Sequence, residues 1–219
     1  LIKKEFGFKR DTNQETINDY IFEIISAGIN NIVITGPTPD TVRVFKAIEK
    51  FNFNKKGNTI FATEMISADE SIDAVNGSKG YFAPMTFLEN TKELNQFKRR
   101  LSSRIDKKID INSKAFFYGA LSYDHIYTIA HAINNINSKN QVVTPHSLME
   151  NLRKVDFIGV TGRVYFSQTS NDRINMPLQI MNSHGFDESS NSVKFESVAT
   201  VSSEGKLVID NSKILLPGY

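Results

Sequence analysis

The 219-residue sequence contains no cysteine. This absence excludes a disulfide framework, a thiol nucleophile and a cysteine-based zinc site, and it argues against a small disulfide-stapled secreted domain. It fits a bacterial exported protein or a cytosolic one. No apolar stretch is long enough to span a bilayer. The chain begins at Leu1 without an initiator methionine or a signal peptide, which indicates a processed or trimmed chain.

Long runs of one charge are missing as well. The formal net charge is +2, and the basic residues are scattered. They never reach the run of about five or six like charges that marks a binding tail, so no nucleic-acid partner is expected. Apolar residues make up 40% of the chain and charged residues 23%, which is ordinary for a globular protein of one large or two small domains.

The common catalytic and nucleotide-binding motifs are also absent. There is no glycine-rich dinucleotide fingerprint, no P-loop lysine, no His-Glu-x-x-His helix and no Gly-x-Ser-x-Gly elbow. His125 and His131 lie six positions apart on one predicted helix, which argues against a shared metal ion. We therefore expect no enzyme activity, no cofactor and no metal site.

Helical and strand patterns alternate along the first part of the chain. Apolar residues recur at helical spacing in some stretches and cluster in short β-branched runs in others. Strands that alternate with helices of about a dozen residues indicate βαβ units and a parallel sheet. The predicted elements are a helix over 13–27, strands over 31–35, 58–62 and 81–83, and a helix between the first two strands.

Both early helices carry start signals. Thr12 followed by Glu15 fits a capping box for the first helix. Thr38 is placed to cap the second helix, with Pro39 at its first helical position.

The second part of the chain is predicted as helices followed by strands. Helical patterns cover 90–103, 115–136 and 145–152, and "GVTGRVYF" indicates a turn into a strand. "INMPLQIMNSHG" indicates a strand and turn, and "FESVATVSSEGKLVID" an antiparallel hairpin. The stretch 184–194 is the most loop-like. An α/β chain that ends in a hairpin is a mixed-sheet protein.

Two features at the carboxyl ends of predicted strands indicate a ligand site. Gly36, Pro37 and Thr38 follow the first strand, and the next helix presents N–H groups and a positive dipole end there. Glu64 follows the second strand at the same rim, where open α/β sheets bind ligands. The alternative for the first feature is an ordinary βα connection, and the alternative for Glu64 is a solvated acid in a loop. Together the two features suit a small zwitterion, with its carboxylate toward the N–H groups and its ammonium toward Glu64.

The order of these segments resembles the type I periplasmic binding proteins, in particular the leucine/isoleucine/valine-binding branch. That family includes ligand-binding regions of membrane receptors. The similar segments cover most of the chain. They are "INDYIFEIISAGINNIVITGPTPDTVRVFKAIEKFNF", "NTIFATE", "NGSKGYFAPM", "FYGALSYDHIYTIAHAINN" and "LMENLRKVDFIGVTGRVYFSQTSNDRINMPLQIMN".

The resemblance implies an α/β, two-lobed type I periplasmic-binding-protein fold that closes on a ligand. Residues 1–84 plus 177–219 would form the second lobe, and residues 85–176 the C-terminal part of the first lobe. The N-terminal part of the first lobe would be missing, either because the chain is a fragment or because that half is a separate polypeptide. Such a chain would leave a sheet edge and an apolar helix face uncovered.

The resemblance also assigns roles to single residues. Glu64 matches the acidic residue that takes the ligand's α-ammonium group. Thr38 lies in the loop where many members place an aromatic wall, and Pro37-Thr38-Pro39 contains no aromatic residue, so the ligand's side chain stays open. Tyr123 and Asp124 are expected in helix packing and capping.

The crossings between the lobes would contain the hinges, since hinges are a few residues at the ends of elements. The residues at these crossings are Pro84, Met85, Asn175, Met176 and Pro177.

The resemblance implies a non-enzymatic, extracytoplasmic protein that binds a small polar metabolite such as an amino acid, as the solute-binding component of an ABC-type uptake system. A sensory ectodomain of a membrane receptor is the first alternative, and an enzyme on an α/β scaffold is the second. The partners would be the ligand, a membrane transporter or a fused membrane receptor, and the missing N-terminal half of the fold. The location would be periplasmic or extracellular, with or without a membrane anchor.

Overall fold

The computed structural model describes residues 2–64, 76–105, 114–187 and 192–218. Within these ranges the chain forms helices and strands in mixed order. They are α1 (Gln14–Ser26), β1 (Asn31–Ile34), α2 (Thr38–Lys50), β2 (Thr59–Ala62), β3 (Phe82–Thr86), α3 (Lys92–Ser102), α4 (Lys114–Asn137), α5 (Pro145–Leu152), β4 (Asp156–Gly159), β5 (Gly162–Tyr165), β6 (Leu178–Asp187), β7 (Ser192–Val201) and β8 (Leu207–Ile209).

The chain divides into two compact units. Unit 1 comprises Leu1–Met85, Gln179–Thr200 and Val208–Tyr219, and unit 2 comprises Thr86–Leu178 and Val201–Leu207. The assignment of these units to the two lobes implied by the resemblance stays a prediction.

A six-stranded sheet organises unit 1, with the strand order β1-β2-β3-β6-β7-β8. The first three strands pair in parallel, as the βαβ pattern predicts. Along β1, Ile32 and Ile34 are buried while Val33 is 74% exposed, because successive side chains point to opposite faces of a strand. Helices α1 and α2 supply the residues that cover the buried face, among them Ile17, Ile21, Phe45 and Ile48.

Unit 2 contains the helices α3, α4 and α5 and the two-stranded sheet β4-β5. Thr144 caps α5 in a complete capping box, because its hydroxyl accepts the Ser147 N–H at 3.1 Å and the Ser147 hydroxyl accepts the Thr144 N–H at 2.9 Å. On α4, Tyr118 and Ile126 are 60% and 67% exposed, so one side of this helix presents apolar surface.

Both early helix starts differ from the sequence prediction. The N-cap of α1 is Asn13, whose side-chain oxygen accepts the Thr16 N–H at 2.8 Å, while the Thr12 hydroxyl accepts the Lys9 N–H at 2.8 Å. The Thr12–Glu15 capping box was therefore wrong by one residue, and asparagine is at least as good a cap as threonine. The capping role of Thr38 was also wrong, because α2 already begins at Thr38 and its N-cap is Pro37.

The predicted loop at 184–194 is wrong where the structure describes it. Strand β6 continues to Asp187 and strand β7 begins at Ser192, so the flanks of this stretch belong to the sheet. Residues 188–191 lie outside the described residues. The final hairpin is confirmed, since Ser202 N–H donates to Lys206 O at 3.0 Å and Asp210 N–H to Val198 O at 2.8 Å, an antiparallel register.

Gly119 in α4 offers a test of helix propensity without a packing change. A Cβ at this exposed position would meet no heavy atom within 4 Å. We expect Gly119→Ala to raise the free energy of unfolding by about 0.5–1 kcal/mol, because glycine loses more backbone entropy in a helix than alanine. Urea denaturation of the two proteins measures the difference, and a loss of stability would show that α4 is not helical at this position in solution.

Candidate ligand-binding rim

The parallel pairing of β1 and β2 brings two chain segments to one edge of the sheet. The strands pair from Asn31 with Thr59 to Ile34 with Ala62, so they end level with each other. The Thr63 N–H extends this ladder by donating to Ile34 O at 3.2 Å. The loop after β1 and the segment after β2 therefore leave the sheet side by side. We refer to Gly36, Pro37, Thr38 and Glu64, which occupy these two segments, as the rim.

The rim residues differ in backbone conformation and exposure. Gly36 has φ +146° and is half-buried, and a Cβ there would lie 3.5 Å from Thr41 Cγ2. Glycine suits this position because other residues rarely adopt such a φ. Pro37 and Glu64 are exposed, and Thr38 is the first residue of α2. A dissolved molecule can reach both segments of the rim.

The first turn of α2 does not present its N–H groups as the sequence predicts. The N–H groups of Asp40 and Thr41 donate to Pro37 O at 3.0 and 3.1 Å, and Pro39 has no N–H. The Thr41 bond is the first regular bond of the helix, whereas the Asp40 N–H is a donor expected to receive a ligand carboxylate that the turn uses instead. Because this turn folds back on Pro37, the start of α2 is a poorer anion site than its dipole suggests.

A carboxylate of the protein occupies the same helix end. Asp40 is only 8% exposed, and its Oδ1 accepts from Arg43 Nη2 at 3.0 Å. The Arg43 guanidinium also donates to the main-chain oxygens of Lys9, at 3.3 Å, and of Thr12. Asp40 takes the favourable place of an anion in the first turn, and its charge is partly balanced by Arg43.

The sequence analysis missed the Asp40–Arg43 pair. Its signal is the spacing of three residues, which places an acid and a base together on the surface of one helix. Glu64 after β2 and Asp40 at the start of α2 thus place a carboxylate in or beside each segment of the rim, and Arg43 pairs with Asp40. This arrangement can accept hydrogen bonds from a cationic group more readily than it can bind an anion.

The predicted hinge residues lie in two different settings. Pro84 and Met85 are inside β3 rather than in a connection. Asn175, Met176 and Pro177 lie between the Phe166–Arg173 bridge and β6, with Asn175 at φ +59°. Phe87 N–H donates to Pro177 O at 3.3 Å, so the chain just after β3 runs beside the chain just before β6. Their role as hinges stays a prediction.

Asp124 locks the β4–β5 turn of unit 2. This carboxylate is 2% exposed and accepts the N–H groups of Val160 and Thr161 at 2.9 and 2.8 Å, together with the Thr161 hydroxyl. Arg173 donates to the same hydroxyl at 2.6 Å and to Thr161 O at 3.0 Å. Asp124 thus satisfies buried donors of the turn. It lies in the interior of α4, so its expected role in helix capping is wrong, and its role is to hold this turn.

Tyr123 packs in an aromatic stack on the side of α4 that faces α3. Its ring lies 4.7 Å from that of Tyr127 and 4.9 Å from that of Phe97. The hydrogen bond with Tyr127, assisted by burial, raises the pKa of the Tyr123 phenol above its usual value. These rings line a cavity of about 380 Å³ whose polar lining includes Glu93 and Arg100. The packing expected of Tyr123 is confirmed.

Metal and membrane features were searched for in the described ranges. Residues 2–64, 76–105, 114–187 and 192–218 contain no group of three or more histidine and acidic side chains arranged to hold a metal ion. Over the same ranges, no helix combines the length and the apolar character needed to cross a membrane.

Comparison with known proteins adds one finding. The family model described as receptor family ligand binding region matches residues 2–185, which is most of the chain. A comparison with the curated proteins returns no significant match.

Proposed function

The chain belongs to the family of receptor ligand-binding regions, and from this premise we propose that the rim of unit 1 binds the cationic group of a small polar metabolite. Membership confirms the resemblance to type I periplasmic binding proteins and the mixed α/β fold class inferred from the sequence. The family is an extracellular ligand-binding region, so the coarse function is ligand binding outside the cell. The ligand, the residues that bind it and the absence of catalysis belong to the proposal.

The observation that carries the proposal is the common edge reached by the segments after β1 and β2. Glu64 stands at the carboxyl end of a parallel strand, where α/β sheets collect ligands. The neighbouring strand leads to a helix start that already holds Asp40. A charge-assisted hydrogen bond to a carboxylate is roughly twice as strong as a neutral one, so an ammonium group gains most at this edge.

The proposed ligand class is an amino acid or a related amine. The first turn of α2 satisfies Asp40 and Thr41 N–H internally, so this rim supplies the ammonium contact, and the carboxylate of an amino acid needs other donors. Pro37 and Thr38 offer no aromatic ring to a ligand side chain. We therefore assign to the rim the recognition of the charged group common to the class.

Two settings for this binding activity are proposed. In one, the protein is the solute-binding component of an ABC-type uptake system, and in the other it is the sensory ectodomain of a membrane receptor. We propose binding without turnover in both, with unit 1 as the second lobe and unit 2 as the C-terminal part of the first. A membrane segment in the same polypeptide favours the receptor, and co-purification with a transporter favours uptake.

Replacing Glu64 tests the role of the rim. In the full-length protein, we expect Glu64→Gln to weaken binding of an amino acid by at least about tenfold. Glu64 is exposed in the free chain, and the bound ligand is expected to cover it. Breaking such a covered charge pair typically costs about 2–5 kcal/mol, and the amide oxygen of glutamine retains part of the contact. Isothermal titration with a panel of the twenty amino acids identifies the probe and gives both dissociation constants.

Glu15→Gln is the matched control, because Glu15 is an exposed acid in the first turn of α1. Asp69→Asn and Glu70→Gln, at positions outside the described residues, are expected to be near neutral. The N-acetyl derivative of the bound amino acid lacks the cation, so it should bind weakly to the wild type and lose little more in Glu64→Gln. Equal affinity of Glu64→Gln and wild type, at equal melting temperature, would remove Glu64 from the site.

A further inference from the structure

Asn76, Gly77 and Ser78 form the one Asn-x-Ser/Thr sequence in the chain. This triplet is the acceptor motif for N-linked glycosylation when it reaches a secretory compartment and has no proline at its middle position. The remaining asparagines are followed two positions later by other residues. Any N-linked glycan on these 219 residues would therefore be attached at Asn76.

The triplet forms a short 3-10 turn whose residues differ in burial. Asn76 is exposed, whereas Gly77 and Ser78 are buried. The backbone of Asn76 is fixed, since its carbonyl accepts from Asn54 Nδ2 at 2.9 Å and from Lys79 N–H at 3.0 Å. The turn thus anchors the main chain of Asn76 while its side chain remains at the surface.

The side-chain contact of Asn76 is compatible with a sugar. Its Nδ2 donates to Glu49 Oε1 at 3.2 Å, and both groups are exposed. A glycosylated asparagine keeps one N–H on Nδ2, so the hydrogen bond to Glu49 can persist beside the new bond. No buried group loses a partner when the sugar is attached.

We propose that Asn76 carries an N-linked glycan. The amide Nδ2 forms a bond to the anomeric carbon of an oligosaccharide carried on a lipid pyrophosphate. The bond between that carbon and the phosphate oxygen breaks, the lipid pyrophosphate leaves with the electron pair, and the amide gives up one proton. The inference rests on the receptor setting of the proposed function, in which the chain passes through a secretory compartment where the carrier lipid and its transferase act.

The glycan would stand away from the proposed ligand rim. Asn76 touches Glu49, which lies eleven positions after Thr38 on α2, or about 16 Å along the helix axis. The sugar therefore lies toward the C-terminal end of α2, and the rim lies at its start. Modification and ligand binding can occur on the same molecule.

Burial of Ser78 determines whether glycan transfer or folding must come first. The hydroxyl of Ser78 has 0% relative exposure in the folded chain, so the complete triplet is accessible only before the turn packs against α2. Transfer of the sugar must then precede folding of unit 1. Chain folded first in a host without the transferase should be a poor acceptor.

The test uses the full-length protein made in a eukaryotic secretory host. We expect one glycan that peptide N-glycosidase removes, with conversion of Asn76 to aspartate in the peptide mass spectrum. Asn76→Gln and Ser78→Ala should each abolish the mass shift. The mass is measured on denatured protein, so the result is valid even where a variant folds poorly.

A positive control distinguishes two reasons for a missing glycan: that the chain never reaches a secretory compartment, or that Asn76 is not an acceptor. Val142→Thr completes an acceptor triplet at Asn140, in an exposed connection before α5, and should add a second glycan. A glycan at Asn140 in that variant without one at Asn76 would overturn the proposal and leave the extracellular location standing. A chain with neither glycan would overturn the proposal and the extracellular location together.

Discussion

Asp124→Ala is expected to lower the free energy of unfolding of unit 2 by about 3–5 kcal/mol. The substitution leaves the buried N–H groups of Val160 and Thr161 without their acceptor, and each such group costs about 1–3 kcal/mol. It also removes the charge opposite Arg173, whose pKa is lowered by burial and held up by Asp124. Urea denaturation followed by circular dichroism measures the change.

The same β4–β5 hairpin provides the control. Asp156 pairs with Arg163 through two hydrogen bonds at 2.8 and 2.6 Å on an exposed surface. Arg163 lowers the pKa of the Asp156 carboxyl, yet solvent screens this pair and Asp156→Ala should change stability little. Hydrogen exchange should show faster exchange of the Val160 and Thr161 amides in Asp124→Ala only. Equal unfolding midpoints for the two variants would contradict the locking role of Asp124.

Gly159 lies against the Asp124 carboxylate in this turn, so substitutions at Gly159 and Asp124 should not be additive. A Cβ at Gly159 would lie 2.5 Å from the Asp124 carboxylate, closer than any normal contact. In Gly159→Ala the added methyl group displaces the carboxylate from the turn. A second substitution at Asp124 should then cost less than it does in the wild type, because the two changes destroy the same contact.

The sequence predicted the elements whose signals are local. These signals are the β-branched run at 31–35, the helical spacing of Ile17 and Ile21, and the Thr144-Pro145 pair before α5, and each lies within a few residues of its element. The alternating burial along β1, with Val33 exposed, was not predicted. The strand ends at the rim were also predictable, because parallel neighbours such as β1 and β2 end at the same edge.

Elements that depend on pairing were predicted less well. Strand β4 has only four residues, two of them exposed, and its pairing with β5 gives it strand geometry. Gly185 marks a turn by local rules, yet it lies inside β6, where its φ of +86° is a conformation that glycine adopts readily. Pro84 lies inside β3 although proline has no N–H to donate to a neighbouring strand.

The sequence predicted where the rim lies and only part of its hydrogen-bonding chemistry. The sequence places Glu64 and the start of α2 together, which follows from topology. It does not reveal that the Asp40 and Thr41 N–H groups fold back on Pro37, because that depends on which residue begins the helix. The one-residue difference at Thr38 therefore weakens the expected carboxylate contact at the start of α2, while the expected ammonium contact at Glu64 stays a prediction.

Gly77→Ala is expected to destabilise unit 1 by about 3 kcal/mol, near the upper end for overpacking. A Cβ at Gly77 would lie 2.0 Å from the main-chain oxygen of Phe45 and 2.9 Å from Glu49 N, so the turn would have to move away from α2. The obstacle is backbone, and Phe45→Ala therefore cannot relieve it.

Gly7→Ala is the matched control for this prediction, because a Cβ at Gly7 meets no heavy atom within 4 Å. Thermal and urea unfolding of both variants should show a loss for Gly77→Ala alone. The Asn76 acceptor triplet survives Gly77→Ala, so a glycan at Asn76 should persist, or even increase, in a chain whose turn packs more slowly. Unchanged stability of Gly77→Ala would show that the turn at Asn76–Ser78 does not pack against α2 in solution.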